Sequence, residues 1–524
     1  MQYTNPIIPG FHSDPSICRA EDDYYLVTSS FEFFPCIPLF HSKNLVDWKL
    51  IGYCITRSDY LPLMHGSPNA SGIYAPTIRY HNGRFYVICT NVTTSDTTDT
   101  RYGNFIVSCT DPNGEWTQPV WLKCDGIDPS LFFDEDDKVY FCGTNEGIYF
   151  CQINPETGKI LSEKKYIWQG TGGCCPEGPH IYRRGGWYYL MIAEGGTEYG
   201  HMETIARSQR IEGPYEAYQN NPVLSNRSLG LPVMAVGHAD LIEDQNKNWW
   251  AVCLGVRPIS YPPKYNLGRE TFLVPVQWTE DGWPILGNQG VVDVQVQTDL
   301  LQTNVFVDRN ERAVQVPKAG EPYEFYDDFS SAALSLRWTY LYNPDLYYIE
   351  KDSNGLRLQG MATTLSDADV STFLAFRQEH HACSISLKLD FSPQFEGEEA
   401  GLSIYMNRDH HYEMALTRAE GEACLIIRRR IGSLWKLEQK IAYNAAVVYM
   451  ELEATKEHYR FNYSRDGCRF SELGRGEAKY LTTEVGGNFT GNFFALYATG
   501  NGKVCKDIAH FGWVHYKAEI QNER

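Results

Sequence analysis

The chain has 524 residues and a formal net charge of −19, from 65 acidic and 46 basic side chains. One hydrophobic core stops growing at roughly 250–300 residues, so at least two domains are expected. A surface this acidic repels nucleic-acid backbones, and no stretch approaches the roughly 18 apolar residues of a membrane helix. We therefore expect neither a nucleic acid nor a membrane as a partner.

The N-terminal nine residues show neither the basic region nor the apolar run of a signal peptide, which predicts a cytoplasmic protein. Aromatic residues make up 14% of the chain. Because strands favour aromatic and β-branched residues, this composition indicates an all-β protein.

One short pattern then recurs five times: a strand, a polar turn and a second strand. Its copies are headed by Asp14, Ala75, Asp128, Glu177 and His238, which are 61, 53, 49 and 61 residues apart. Repeats of about 40–50 residues with four strands each are typical of propeller blades, and insertions lengthen them. Residues 1–300 are therefore predicted to form a five-bladed β-propeller.

After about Gly290 the pattern stops, and residues 301–322 are predicted to form a polar linker. From Tyr323 onward several short strands alternate apolar and polar residues, as in Cys383-Ser-Ile-Ser-Leu-Lys-Leu389. This spacing over residues 323–524 predicts a C-terminal β-sandwich. No long helical period is visible, and the run from Ala415 to Glu422 is too short to assign.

The chain has 15 cysteines, an odd number, with no Cys-x-x-Cys pair. This usage argues against a zinc site or a disulfide scaffold, so we expect reduced and mostly buried thiols. The adjacent pair Cys174-Cys175 precedes Glu177, and we interpret it as a packing feature rather than a redox centre.

In a propeller the innermost strands begin or end at the central channel, so the residues heading the five copies are expected to converge there. Three of them are carboxylates: Asp14, Asp128 and Glu177. Close like charges raise at least one pKa, as a general acid at neutral pH requires. The alternative is that Asp-Pro is a turn device, which accounts for Asp14 and Asp128 but not for Glu177.

Two acidic runs lie between predicted strands instead of heading them. They are Glu21-Asp-Asp and Asp134-Glu-Asp-Asp. We interpret both as solvated turns and not as metal ligands.

Paired carboxylates are the recurrent apparatus of glycoside hydrolysis. Five ordered motifs carry a more specific resemblance: Asn5-Pro-Ile-Ile-Pro-Gly-Phe-His-Ser-Asp14-Pro-Ser, Ser30-Phe-Glu-Phe-Phe-Pro35, Phe40-His-Ser-Lys-Asn-Leu-Val-Asp-Trp48, Gly126-Ile-Asp128-Pro-Ser and Pro176-Glu177-Gly-Pro-His180. The sequence resembles glycoside hydrolase family 43, in particular its two-domain β-xylosidases and α-L-arabinofuranosidases. Gly268-Arg-Glu-Thr-Phe and Phe325-Tyr-Asp-Asp-Phe329 extend the resemblance into the second half.

The resemblance implies inverting hydrolysis and a role for each acid. Asp14 would be the general base that activates water, Glu177 the general acid, and Asp128 the residue that orients Glu177 and tunes its pKa. Arg269 would reach towards the sugar and the acids, although a surface or salt-bridged arginine is the alternative.

The same resemblance implies further pocket residues. Phe31 would form an apolar wall for the sugar, with a core aromatic as the alternative. Phe493 would be the sandwich residue with which the second domain closes the pocket. His238 resembles a channel histidine that ligates calcium through waters, but a lone histidine is more often a hydrogen-bonded core group and calcium prefers oxygen ligands.

Two positions depart from the family pattern. Tyr74 stands where many relatives have tryptophan before Ala-Pro, and Cys36 stands where a glycine is usual. Both are predicted to lie near the sugar pocket, where they would affect sugar preference and leave the chemistry intact.

The sequence thus predicts an exo-acting pentosidase that needs no cofactor and releases terminal xylose or arabinofuranose from short plant-derived oligosaccharides. A homo-oligomer is compatible with it. One alternative is a retaining fructan or sucrose hydrolase, whose start motif is Asn-Asp-Pro-Asn rather than Ser-Asp-Pro-Ser. The other is a non-catalytic sugar-binding propeller, which would have no need for three converging acids.

Overall fold

The structure is a computed structural model that describes residues 2–63, 66, 68–92, 101–300, 310–343, 346–352, 354–487 and 489–519. The chain divides into two compact units. The first comprises Met1–Leu63, Ser71–Arg257 and Arg269–Ala319; the second comprises Met64–Ala70, Pro258–Gly268 and Gly320–Arg524. Among the described residues, no helix is long and apolar enough to span a membrane.

The predicted domain boundaries can be set beside this division. Residues 258–268, predicted as part of the propeller, belong to the second unit. Residues 301–309 of the predicted linker lie outside the described part of the chain. Val314–Gln315, inside the same predicted linker, forms a strand that pairs with Lys49 and Leu50 of the first unit.

The first unit is built from short strands, numbered in chain order. They are β1 (Gln2–Thr4), β2 (Ser16–Ala20), β3 (Asp23–Val27), β4 (Phe33–Phe34), β5 (Cys36–Ser42), β6 (Lys49–Ile55), β7 (Gly72–Ile73), β8 (Thr77–His81), β9 (Arg84–Val92), β10 (Gly103–Cys109), β11 (Val120–Trp121), β12 (Ile127–Phe133), β13 (Val139–Thr144), β14 (Ile148–Asn154), β15 (Lys159–Ile160), β16 (Lys165–Trp168), β17 (Glu177–Arg184), β18 (Trp187–Glu194), β19 (Met202–Ser208), β20 (Glu216–Ala217), β21 (Met234–Glu243), β22 (Trp249–Val256), β23 (Glu270–Trp278), β24 (Pro284–Leu286), β25 (Gln295–Gln297) and β26 (Val314–Gln315).

Five antiparallel sheets follow one another along the chain and form the blades of a propeller. Their strand orders are β2-β3-β5-β6-β26, β11-β10-β9-β7 with β8 on β9, β12-β13-β14-β15 with β16 on β14, β17-β18-β19-β20, and β21-β22-β23-β24. The innermost strands β2, β8, β12, β17 and β21 each pack on the next, and β21 packs back on β2. The N-terminal strand β1 pairs with β25, so both ends of the repeat region are hydrogen-bonded to each other.

The second unit contains the remaining elements. They are β27 (Tyr323–Asp327), β28 (Tyr340–Leu341), a 3-10 turn (Leu346–Tyr348), β29 (Ile349–Asp352), β30 (Gly355–Gln359), β31 (Thr372–Arg377), β32 (Cys383–Asp390), β33 (Glu399–Asn407), β34 (His410–Ala419), β35 (Glu422–Ile431), β36 (Leu434–Ala442), β37 (Val447–Ala454), β38 (His458–Ser464), β39 (Ser471–Glu477), a second 3-10 turn (Ala478–Tyr480), the one-turn helix α1 (Thr483–Gly486), β40 (Phe493–Thr499) and β41 (Ile508–Ala518).

Two sheets of the second unit face each other as a β-sandwich. One has the order β29-β30-β41-β32-β37-β38-β39 with β27 on β41, and the other has the order β31-β40-β33-β34-β35-β36. Every second residue of β32 and β37 is buried in the shared core, which is the period that a strand with one covered face requires. The run from Ala415 to Glu422, which the sequence left unassigned, belongs to the hairpin of β34 and β35.

Candidate active site

The residues that head the repeats lie where the innermost strands are irregular. The strand register shifts next to Asp128 in β12, next to Glu177 in β17 and next to His238 in β21. Asp14, Asp128 and His238 have φ angles of 55°, 51° and 50°. Left-handed backbone in residues other than glycine is unfavourable and is concentrated at functional sites, so this repeated irregularity marks one end of the channel.

Asp14 is buried and tightly bonded. Its Oδ1 accepts a hydrogen bond of 2.9 Å from Nη1 of Arg269, and its Oδ2 accepts one of 2.8 Å from the hydroxyl of Ser13 and another from Ser29. Burial alone would raise the pKa of Asp14, but Arg269, His238 and the two hydroxyls outweigh it and hold the pKa below its ordinary value. The side chain is therefore a carboxylate at neutral pH.

Glu177 has the opposite character. It is partly exposed at the first position of β17. Burial of its carboxyl group raises its pKa to about 7, and the negative charge of Asp14 adds to this effect while Arg269 opposes it. At neutral pH Glu177 is thus divided between its protonated and ionised forms, which suits a group that must donate a proton.

Asp128 is buried and interacts with both other acids. Burial raises its pKa well above the ordinary value, and the charges of Glu177 and Asp14 raise it further. Arg269 and the backbone amide of Gly178 act against this rise. The predicted convergence of the three acids is thus seen in the effect of Asp14 on both other acids and of Glu177 on Asp128, and Asp128 favours the neutral form.

Arg269 connects these groups. It is only 5% exposed, so it is not the surface arginine of the alternative interpretation. Its Nη1 also donates a 3.0 Å hydrogen bond to the hydroxyl of Thr197, and its Cζ lies 5.7 Å from the ring centre of Phe31. One guanidinium therefore partly balances three acids.

Aromatic rings adjoin the acids. Phe31 is buried, with its ring centre 5.8 Å from that of Phe11 and 5.2 Å from that of Tyr74. Burial raises the pKa of Tyr74, and the charges of Asp128 and Glu32 raise it further, which places this phenol beside the acids.

His238 packs against the acids, but the surroundings do not suit a metal ion. Its Nδ1 lies 4.0 Å from Oδ1 of Asp14, and burial lowers the pKa of the ring. Asp14 is already paired with Arg269. Across the described ranges, no group of three or more His, Cys, Asp or Glu side chains could hold a metal ion, so a calcium site near His238 is not supported.

Phe493, the remaining predicted pocket residue, lies in β40 of the second unit. It is buried there, and the guanidinium carbon of Arg377 lies 5.5 Å from its ring centre. Its role in closing the pocket stays a prediction.

The sequence alone does not reveal the groups that hold the predicted residues in place. Ser13, Ser29 and Thr197 carry no motif of their own, although Ser13 directly precedes Asp14. Gly178 is a clearer signal: its φ is 58°, and a methyl group there would lie 2.9 Å from Cε1 of His238. The glycine of the Pro-Glu-Gly-Pro motif is therefore required by the close approach of the histidine ring.

Another buried carboxylate, which the sequence does not point to, lies further along the innermost strands. Asp240 in β21 accepts hydrogen bonds from four groups: Arg79 in β8 (2.8 and 3.1 Å), Ser16 (2.6 Å) and the amide of Ile17 in β2 (3.0 Å), and the hydroxyl of Tyr182 in β17 (2.7 Å). Four of the five innermost strands thus meet at one side chain.

Two further sequence interpretations need correction. Asp134 is not part of a solvated turn: it is buried and accepts hydrogen bonds of 2.9 Å from Arg183 and from the hydroxyl of Tyr188, whereas the following three residues are exposed. The Cys174-Cys175 pair is not packed in the interior, since both residues are exposed.

Comparisons with known proteins agree with this architecture. The family model described as glycosyl hydrolases family 43 matches residues 3–284, and the model described as beta xylosidase C-terminal concanavalin A-like domain matches residues 326–517. A non-reducing end alpha-L-arabinofuranosidase of Bacteroides ovatus is 39% identical, covering 98% of this chain and 94% of the relative. A xylosidase/arabinosidase of Butyrivibrio fibrisolvens is 34% identical, with 97% and 98% covered.

A solved structure is similar over nearly the whole chain. It is described as Bacteroides ovatus xyloglucan PUL GH43B and has a TM-score of 0.91 at 38% identity, with 98% of this chain and 99% of that chain covered. The likeness therefore extends through both units and not only through the propeller.

Proposed function

Since the chain belongs to glycoside hydrolase family 43, we propose that it is an exo-acting pentosidase that releases terminal β-D-xylose or α-L-arabinofuranose with inversion at the anomeric carbon. The observation that carries this proposal is the opposite perturbation of two carboxyl groups. The pKa of Asp14 lies below its ordinary value, whereas that of Glu177 is raised to about 7. Groups with pKa values pushed apart are suited to act as base and acid in one step.

In the proposed step, Asp14 accepts a proton from a water molecule as the water oxygen forms a bond to the anomeric carbon. Glu177 donates its proton to the glycosidic oxygen while the bond from that oxygen to the anomeric carbon breaks. The sugar leaves with inverted configuration and the remaining alcohol leaves neutral. Asp14 then returns its proton to solvent and Glu177 takes one up.

Asp128 supports the acid in this proposal. Its carboxyl group interacts with Glu177, and its own pKa is raised well above the ordinary value by burial and by that neighbour. Because Asp128 is neutral, Glu177 can lose its proton during the reaction without facing a second full negative charge from this side.

The sugar class rests on the activities named for the relatives and on the aromatic rings beside the acids. The two similar enzymes are named as an arabinofuranosidase and a xylosidase/arabinosidase. A β-D-xylosyl and an α-L-arabinofuranosyl group present similar atoms to one pocket, so we propose activity on both, with xylose preferred. Phe31 and Tyr74 would cover the C–H face of the terminal sugar.

We further propose that Phe493 of the second unit closes the pocket, that the enzyme acts on short oligosaccharides in the cytoplasm, and that it requires no cofactor. A homo-oligomer would be compatible with each of them.

The test is hydrolysis of 4-nitrophenyl β-D-xyloside and 4-nitrophenyl α-L-arabinofuranoside by the wild type, Asp14→Ala and Glu177→Ala. We expect the wild type to cleave both substrates and each variant to lose most of its kcat. A wild type that binds pentosides and hydrolyses neither would contradict the enzymatic proposal.

Proton NMR of the first product tests the stereochemistry separately. Release of the inverted anomer is expected. Release of the retained anomer would overturn the role of Asp14 as base and would favour the retaining mechanism of the fructan hydrolases.

A further inference from the structure

Two adjacent thiols lie exposed next to the proposed acid. Twelve of the 15 cysteines are buried, and the exposed ones are Cys174, Cys175 and Cys468. Cys174 and Cys175 lie in the segment between β16 and β17, three and two residues before Glu177, whereas Cys468 lies in the second unit. Access decides which thiols react, so these three are the candidates for modification in the folded protein.

The segment that carries the pair is held firmly. The carboxylate of Glu194 accepts hydrogen bonds from the amide of Thr171 at 2.9 Å, from the amide of Gly173 at 3.0 Å and from the hydroxyl of Thr171 at 3.0 Å. The carbonyl of Cys174 accepts a 2.8 Å hydrogen bond from the amide of Gly195. Glu194 is the last residue of β18, and the residue before it, Ala193, pairs with Glu177 in the sheet. The end of β18 therefore holds both this loop and the acid.

The pair also adjoins the arginine side of the site. A methyl group at Gly196 would lie 3.9 Å from Sγ of Cys174. The next residue, Thr197, accepts the 3.0 Å hydrogen bond from Arg269, which is paired with Asp14. Cys174 therefore lies close to the turn that contacts Arg269.

Electrostatics agree with this placement. Burial raises the pKa of Cys175, and its neighbour Cys174 and the carboxylate of Glu177 raise it further. The charge of the acid thus reaches Cys175, which lies two residues before it in the chain.

We propose that Cys174-Cys175 is a thiol-modification site at which a small disulfide such as oxidised glutathione forms a mixed disulfide and blocks the reaction at Glu177. A thiolate of the pair attacks one sulfur of the disulfide, a new S–S bond forms to the protein, and the second glutathione leaves as a thiolate. The oxidant is the added disulfide itself, and an excess of reduced thiol reverses the exchange. The effect on catalysis depends on the proposed function, whereas the attachment does not.

The experiment treats the folded wild type with oxidised glutathione and measures peptide masses and kcat/KM on an unactivated xylobioside, whose leaving group needs protonation. We expect glutathione on the peptide containing residues 174–175. We also expect kcat/KM to fall at least about tenfold, because loss of general acid catalysis alone removes roughly 10²–10⁴ in rate. Dithiothreitol should restore the activity.

The double variant Cys174→Ser/Cys175→Ser and the matched variant Cys468→Ser separate this site from general oxidation. Within each variant the treated and untreated rates are compared. We expect the double variant to resist inactivation and Cys468→Ser to be inactivated like the wild type.

Three results would overturn the proposal. These are a labelled pair with unchanged activity, equal inactivation of the double variant, and labelling of Cys468 without labelling of the pair. If the untreated wild type hydrolyses neither pentoside, the proposed function fails, and the peptide masses still decide whether the pair is the modification site.

Discussion

Two groups of buried carboxylates lie along the same innermost strands, and they are balanced in different ways. At one end, Asp14, Asp128 and Glu177 share one guanidinium, and burial and neighbouring acids raise the pKa values of Asp128 and Glu177. Further along, Asp240 pairs with an arginine of its own, Arg79. Burial would raise its pKa, but Arg79 and neighbouring donors hold it well below the usual range.

The difference distinguishes acids that can take part in catalysis from an acid that stabilises the fold. A buried carboxylate with an arginine and several hydrogen-bond donors is compensated, so it stays ionised where four strands meet. Three acids with one arginine are under-compensated, so the pKa of Glu177 rises to about 7 and its proton is readily added and removed at neutral pH. Burial of acids is therefore not in itself a sign of function, and the balance of partners is the better guide.

The largest effect is expected from Glu177→Gln, which removes the proton donor and one negative charge. We expect kcat/KM on an unactivated xylobioside to fall roughly 10²–10⁴-fold, and less on the 4-nitrophenyl xyloside, whose leaving group needs little protonation. The free energy of unfolding at pH 7 should not fall. The folded pKa of Glu177, about 7, lies above its unfolded value, so ionisation of Glu177 destabilises the fold as pH rises through this interval.

Steady-state kinetics on both substrates and thermal unfolding at pH 7 measure these effects. Equal losses on the two substrates would argue against Glu177 as the acid. A lower unfolding temperature would show that Glu177 is a structural carboxylate like Asp240.

Asp240→Asn should show the reverse pattern. It leaves the charge of Arg79 without its partner among four strands, and breaking a buried ion pair costs about 3–5 kcal/mol. Since the folded pKa of Asp240 is depressed, its contribution is present above the unfolded pKa of about 3.9 and is lost as pH falls through the folded value. Denaturant unfolding at pH 7 measures the loss.

The matched control is Asp59→Asn, which breaks the exposed pair of Asp59 with Arg57. This change should leave the unfolding curve where it is. If both variants unfold alike, the strand-joining role of Asp240 is excluded.

Arg269→Gln should shift the pH profile of kcat/KM. We expect this effect to be smaller than the effects of Glu177→Gln and Asp240→Asn. In the wild type, kcat/KM should fall about tenfold per pH unit above the pKa of Glu177, about 7, as the acid loses its proton. Arg269 lowers the pKa of both Asp14 and Glu177. Removing its charge should therefore move both limbs of the profile to higher pH, by about one unit.

The profile is measured as kcat/KM from pH 4 to 9. Arg57→Gln, an exposed arginine paired with Asp59, should leave both limbs unchanged. A downward shift of the alkaline limb in Arg269→Gln would contradict the electrostatic role of Arg269.

The fold and the three acids of the site could be predicted from the sequence, because one strand-turn-strand pattern repeats five times. The five copies aligned Asp14, Asp128 and Glu177 at one position, and the strand alternation after Tyr323 predicted the sandwich; the fold prediction of an all-β propeller followed by a sandwich is confirmed. The first residue of each copy lies at the equivalent point of its blade, so the three acids can be identified from the sequence without knowledge of any contact.

The supporting groups could not be read in this way. Asp240 follows His238 by two residues and was passed over, because nothing local shows that Arg79 and Tyr182 lie beside it. Likewise Asp134 belongs to an acidic run that looks solvated, and only its partners from another blade show that it is buried. Partners far apart in sequence decide these cases.

The smallest effect is expected from Tyr182→Phe, which tests whether the contacts of Asp240 act together. The hydroxyl donates to Oδ1 of Asp240 at 2.7 Å and accepts from the amide of Leu241 at 2.9 Å. Its removal leaves that amide without this acceptor in a buried position, which costs about 1–3 kcal/mol. Arg79 still pairs with Asp240, so the loss should be smaller than in Asp240→Asn, and denaturant unfolding compares the two.

Tyr188→Phe is the matched control, because its hydroxyl makes a single 2.9 Å bond to Asp134. Tyr182→Phe should destabilise the fold more than this control and leave the pH profile of kcat/KM unchanged, since its hydroxyl bonds to Asp240 and not to the three acids. If instead Tyr182→Phe moves the alkaline limb, the two carboxylate groups are electrostatically coupled, and the separation of chemistry from stability along these strands does not hold.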